Sequence, residues 1–477
     1  MAILINQKPL YYTLPVGQDI VFSVSDSTIV ANNYNVKFVA YVYVGDSNAN
    51  LNNTNPVAVL KTTPNNAGVG IFSLQPVLES FVKPDNNGTD FGNTSTYKQV
   101  SYSDTTPHPI HLIDKFATSD NATRYFIVKF FLEYSPTIDG NVTIDQSNSV
   151  LSENYLFYNG YLNFDDILVQ SGNDYGYQLS QFNYVMNSSD DKFLSNAPTT
   201  QYARLTDYGT LPFFNFLSSA DYSFQVGDDN AINKKVQYFK IILYNSSNTQ
   251  LVVINQLVNW TSGAFTNANN LSRTRINYLG AFPANLDGWS SDWDTHKANV
   301  SYYTIQAFDD QNIEISQLYR INIITDSCKG FEGIRLTWLN PHGVWDYYTF
   351  TKKSVRSLQT NRTSYTQLGG TWNESTYKIN GFKGGKKNFR VNSKELITVN
   401  TDYLIDADAV WFEDLINSPE VYILNGYSSD ANGMVNKYVE PVIVSTSSYI
   451  RKTKANDKLI QYTFELEKSK NKRIQSA

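Results

Sequence analysis

Between Asn35 and Val44, residues Val36, Phe38, Ala40, Val42 and Val44 share one parity, while Tyr41 and Tyr43 take the other. Strict alternation sends one set of side chains to each face of an extended chain, a pattern that a strand satisfies and a helix does not. Similar segments recur at Ile20–Val24, Val57–Lys61, Gly70–Leu74 and Arg124–Tyr134, separated by loops rich in Asn, Gly, Pro and Asp. Only one short helix is predicted among them, at Leu74–Val82. A second series follows at Tyr222–Val226, Val236–Tyr244, Leu251–Val258, Tyr302–Phe308 and Tyr319–Thr325. Many short strands with turn signals between them predict β-sandwiches.

The last part of the chain reads differently. Arg335–Leu339 and Val344–Phe350 are strand-like and flank the turn Asn340-Pro341-His342-Gly343. Trp338, Trp345, Tyr347 and Tyr348 crowd into this hairpin. They are candidate packing or intersubunit contacts, as is Trp411. Ser354–Gly370 is polar and strand-capable. Gly381–Arg390 is a basic turn region in which Lys383, Lys386, Lys387 and Arg390 form a candidate contact loop, with a plain flexible hairpin as the alternative. Glu395–Val399 is a strand. Asp402–Ile416 reads as a helix, because Leu404, Ala407, Val410, Trp411, Asp414 and Leu415 recur near 3.6 spacing. Strands are expected at Val421–Leu424, Pro441–Thr446 and Leu459–Glu467.

At 477 residues, the chain has room for two to four domains of roughly 100–200 residues each. The expected fold is mainly β: two antiparallel β-sandwich (Ig-like) domains at 1–160 and 161–327, then a smaller α+β assembly domain at 328–477 with one helix on a sheet. No residue-level repeat ties the two sandwiches together.

Only 17% of residues are charged, against a usual ~25%, while 34 are Tyr. Neutral polar and aromatic groups must therefore cover much of the surface, either for contact with partners or through coding bias. Charge is unevenly placed. Residues 1–330 carry 18 Lys and Arg against 29 Asp and Glu, a net −11, and the remainder carries 20 against 15, a net +5. Such polarity fits an oriented subunit with unlike ends, or unselected drift between domains. The basic excess is too dilute to point to nucleic acid. Cys328 is the single cysteine, which excludes an intrachain disulfide. No secretory signal or membrane-spanning segment is expected.

Catalytic and metal-binding patterns are weak. His108 and His111 sit three apart beside Asp114, but Pro107 and Pro109 oppose the helix that would align them. Asp292, Asp294 and His296 near Trp289 and Trp293 suit a capped polar turn better than a calcium loop. Asp406, Asp408, Glu413 and Asp414 fall on different faces of the predicted helix. Gly381-Phe-Lys-Gly-Gly-Lys-Lys lacks phosphate-loop spacing. No catalytic residue, metal or cofactor is expected.

Three segments of the last part carry a resemblance: RLTWLNPHGVWDYYTF at Arg335–Phe350, DADAVWFEDLINSPEVYIL at Asp406–Leu424, and PVIVSTSSYIRKTKANDKLIQYTFELE at Pro441–Glu467. NNAGVGIFSLQPVLESFV at Asn65–Val82 adds a fourth. Together they resemble tail and ring structural proteins of crAss-like phages that infect Bacteroidetes. The resemblance covers about a third of the chain strongly. It implies a non-enzymatic virion subunit, a tail ring or collar protein forming a closed cyclic oligomer, made in the host bacterial cytoplasm. Its implied partners are copies of itself and other tail or portal-proximal virion proteins, without a membrane anchor or nucleic acid. The competing readings are a host-surface or carbohydrate-binding adhesin, with Trp289 and Trp293 stacking on sugars, and a glycan-degrading enzyme built on two carboxylates.

Overall fold

A computed structural model describes residues 3–47, 51, 55–90, 108–113, 116–119, 121–161, 168–169, 175–176, 184–214, 236–257, 272, 275–287, 290–325, 331–425, 439–446, 448–452 and 460–470. The fold is mainly β, with several sheets. It divides into two compact units. The first takes the described residues up to Thr325 together with Leu339–Tyr347, and the second takes the remainder.

In the first unit, a three-stranded sheet is ordered Leu4–Gln7, Val21–Ser25, Val69–Ser73. A six-stranded sheet runs Thr13–Pro15, Tyr155–Tyr158, Thr123–Ser135, Tyr34–Gly45, Ala58–Thr62, with Thr143–Leu151 also paired to Thr123–Ser135. Their inner residues share one core. Phe22 from the small sheet meets Phe130 at 5.6 Å and Tyr155 at 5.7 Å from the large one. Burying each such ring contributes about 1.5–3 kcal/mol. In Tyr34–Gly45 the expected parity is kept: Phe38, Ala40 and Val42 are buried. Val39 and Tyr43, on the other parity, are buried too, so both faces of this strand are covered. The predicted short helix is present as Gln75–Leu78 followed by a 3-10 turn at Glu79–Phe81.

A five-stranded sheet is ordered Thr200–Ala203, Tyr319–Ile323, Tyr302–Phe308, Tyr238–Tyr244, Gln250–Leu257. Another joins Thr210–Phe214 and Ile276–Gly280 to Phe116–Thr118, Asn87–Asp90 and His108–Pro109, and so draws strands from both sides of residue 160. The expected strand at Tyr222–Val226 lies outside the described residues. Not every pairing is antiparallel. Thr13–Pro15 runs parallel to Tyr155–Tyr158, and Thr200–Ala203 runs parallel to Tyr319–Ile323. These partners are far apart in sequence, and a parallel pair needs a long crossover that no local turn signal announces.

A seven-stranded sheet, most of whose residues lie in the second unit, is ordered Trp345–Phe350, Ile334–Leu339, Val421–Leu424, Val439–Val444, Thr463–Lys468, Gly385–Asn400, Val355–Gln367. The helix Asp406–Asn417 packs on it, with Phe412 at 5.6 Å from Phe464 and Trp411 at 5.1 Å from Trp338. Asp408 sits in its first turn and accepts the Ile405 backbone N–H at 3.0 Å, which favours the positive helix end. The buried stripe is Ala409, Trp411, Phe412 and Leu415. Val410, expected on that stripe, is exposed instead, because the stripe is set by where the sheet aromatics lie.

Candidate functional site

The aromatic hairpin is interior. Its tip belongs to the first unit and its outer strand residues to the second. In the first unit, Trp345 is fully buried and its indole N–H donates to the Asp85 carbonyl at 2.7 Å. The Tyr347 hydroxyl lies 2.8 Å from His111 Nδ1 and 2.9 Å from Thr210 Oγ1. Asn340 donates to the Leu194 carbonyl at 2.9 Å. Gly343 turns the chain at φ +74, where an added Cβ would stand 1.7 Å from the Asn159 carbonyl oxygen. In the second unit, Trp338 is fully buried against Trp411 and Phe412. Tyr348 is half-buried against Phe412 at 4.9 Å and accepts the Asp402 N–H at 3.1 Å. All five candidate aromatics are thus packed within their own units.

The buried histidines His111 and His342 are structural in their surroundings. His111 is buried edge-on to Trp345 at 5.0 Å. Burial holds the His342 imidazole down to about 3, with Lys192 adding to the effect. Trp293, offered as a sugar platform, is buried in the helical turn Ser291–His296 against Tyr303 at 5.4 Å. Trp289, Asp114 and Cys328 lie outside the described residues. Among the described residues, no cluster of three or more His, Cys, Asp or Glu could hold a metal, and no helix is long and apolar enough to cross a membrane.

The exposed feature is a two-stranded ribbon, Val355–Gln367 against Gly385–Asn400, in register from Val355↔Thr398 to Gln367↔Gly385. Only Leu396–Asn400 pair with the neighbouring strand Thr463–Lys468. Beyond that point, among the described residues, Gly385–Glu395 is strand-paired with Val355–Gln367 alone, which gives roughly 35 Å of ribbon at ~3.3 Å per residue, although Lys394 and Glu395 still reach Glu467 and Lys468 at the base. Glu395–Val399 was expected as a strand and Gly381–Arg390 as a turn. In fact the strand starts at Gly385, and only the segment before it turns. The reason is pairing: cross-strand hydrogen bonds to a facing polar strand hold residues that show no apolar alternation.

The ribbon is exposed along nearly all of Val355–Gln367. Its tip carries Trp372, Ile379 and Phe382, respectively 83%, 80% and 77% exposed. Tyr377 and Leu368 are exposed beside them, and Phe389 stands out at the register shift by Thr363/Ser364. The tip is internally tied: Thr371 N–H donates to the Lys378 carbonyl at 3.1 Å and Asn380 N–H to the Gly369 carbonyl at 3.0 Å. Residues 355–400 hold eight Lys and Arg against two Asp and Glu, a net +6. Arg356 is engaged at the base by Glu332 and Glu395, and Lys378 at the tip by Glu374. Arg362, Lys383, Lys386, Lys387 and Arg390 make no ion pair among the described residues. Four of these are the predicted basic contact residues. Sequence reasoning missed the tip aromatics, although Trp372 in an otherwise polar Gly-Gly-Thr-Trp-Asn run was a visible signal.

No protein-family model and no curated protein sequence matches the chain. Among solved structures, E. coli α2-macroglobulin in its native conformation aligns at 8% identity and a TM-score of 0.18, over 83% of this chain and 22% of that one. The chain thus spans about a fifth of that protein's length, and a likeness at this level assigns it neither fold nor function.

Proposed function

We propose that the chain is a non-enzymatic structural subunit of a phage virion, a tail ring or collar protein that closes into a cyclic oligomer. The single observation that carries the assembly reading is the Val355–Asn400 ribbon. It extends past its pairing with the rest of the sheet, presents large apolar side chains to solvent, and bears Arg362, Lys383, Lys386, Lys387 and Arg390, which have no acidic partner among the described residues. Several large apolar side chains left in water on one short loop favour a contact role, since exposed apolar groups gathered in one place mark interaction sites. The sequence resemblance supplies the phage context. The first unit would comprise two Ig-like sandwich domains, and the second would be the assembly module. Residence in the virion tail follows from the same reading. A ring requires a heterologous interface between unlike surfaces, and a net +6 ribbon on an otherwise acidic chain supplies charge of unlike sign for one. Electron microscopy of the purified full-length protein tests this: closed rings are expected, and a protein that sediments as a monomer at every concentration overturns it.

A second reading, a host-surface or carbohydrate-binding adhesin, is favoured by the solvent-facing rings of Trp372 and Phe382. It requires glycan-array binding that Trp372→Ala abolishes.

A further inference from the structure

Resting on the assembly reading, we infer that the ribbon is a trans arm: the Val355–Asn400 hairpin of one copy docks on the acidic first unit of a second copy of this chain. Three observations converge on that occupant. The first is charge. The ribbon carries +6, the whole chain −6, and residues 1–330 alone −11. Arg362, Lys383, Lys386, Lys387 and Arg390 have no acidic partner among the described residues of their own chain, whereas another copy supplies Asp and Glu in excess. The second is exposure. Trp372, Ile379 and Phe382 are solvated here, and dehydrating them against a partner is favourable. The third is size. A ribbon roughly 35 Å long and about 10 Å wide offers about 700 Å² over two faces, near the ~800 Å² per partner of a standard interface.

The edge adds a constraint. Val355–Gln367 is the outer strand of its sheet, and a free edge pairs readily with another chain unless it is blunted. Arg362 places charge on that edge, and the register shift at Thr363/Ser364 interrupts its flatness. Both features disfavour ribbon-to-ribbon pairing between identical basic arms, which would also repel. They leave the acidic unit of the next copy as the complementary surface. Arm to body, repeated head to tail, is the heterologous geometry that closes a ring.

The test uses the full-length protein and two variants, Trp372→Ser/Phe382→Ser and Lys383→Glu/Lys386→Glu/Lys387→Glu. All substituted side chains are exposed or half-buried, so circular dichroism and thermal melting should match wild type. Sedimentation velocity at 50 and 500 mM salt reads assembly. Carbodiimide cross-linking of mixed ¹⁴N and ¹⁵N copies reads which residues meet between chains. The expected result is an oligomer for wild type, weakened by salt, at least tenfold weaker self-association in both variants, and mixed-isotope cross-links from ribbon lysines to carboxylates of residues 1–325. Folded variants that assemble as wild type does, or cross-links only within one copy, overturn the trans arm while leaving the ring reading intact. A strictly monomeric wild type overturns both. Assembly that is lost on nuclease treatment overturns the protein partner in favour of nucleic acid.

Discussion

The indole N–H of Trp345 reaches the backbone carbonyl of Asp85, 260 positions earlier in the chain, at 2.7 Å. Asp85 is itself fully buried, and its carboxylate accepts from Tyr278 Oη at 3.1 Å and from the Asn121 N–H at 2.7 Å. The hairpin tip is therefore a structural member of the first unit, tied into it by a hydrogen bond that phenylalanine cannot make. Trp345→Phe removes that indole donor and should cost about 1–3 kcal/mol. Trp345→Ala adds a cavity, for about 3–5 kcal/mol in all. Urea unfolding of the two variants should rank them in that order.

Two glycines with the same backbone angle should respond differently. Gly343 and Gly385 both sit at φ +74, but a Cβ at Gly343 would overlap Asn159, whereas at Gly385 nothing lies within 4 Å. Gly385→Ala should cost only the left-handed strain, about 1–2 kcal/mol. Gly343→Ala should abolish cooperative folding or lower the melting temperature far more. Melting curves recorded side by side decide it.

The buried His342 predicts a pH dependence. The unfolded chain takes up its proton near pH 6.5, whereas the folded imidazole resists until about 3. Its neutral form is thus favoured by folding. The stability is complete above pH 6.5 and declines as pH falls from there toward 3, by up to about 1.4 kcal/mol per pH unit. Between pH 7 and 5, above most carboxylate titration, the urea midpoint should fall for wild type and fall less for His342→Gln. Parallel slopes would contradict this account.

Trp293→Ala should destabilise by about 3–5 kcal/mol, since the ring is buried against Tyr303. Trp372→Ala, by contrast, should change stability by no more than about 0.5 kcal/mol. Chemical denaturation separates them, and only the second is a clean probe of binding.

Local signals in the sequence carried much of the strand content. Tyr302–Phe308 and Val421–Leu424 have the predicted ends, and Tyr34–Gly45 has the predicted inner parity. Alternation reports which side chains must leave water, and this is decided within a few residues. The basic character of Lys383, Lys386, Lys387 and Arg390 was equally legible, because charge needs no fold to be counted. What the tertiary structure decided was partnership. That Trp345 belongs with Asp85, that His111 lies against Tyr347, and that Thr13–Pro15 runs parallel to Tyr155–Tyr158 are long-range facts with no local signature. The ribbon shows the division most sharply. Ser354–Gly370 reads only as polar and strand-capable, and Gly381–Arg390 reads as a basic turn, since neither alternates apolar with polar. Pairing between Val355–Gln367 and Gly385–Asn400 supplies the order that hydrophobic patterning does not, and only that pairing sets Trp372, Ile379 and Phe382 out at the tip.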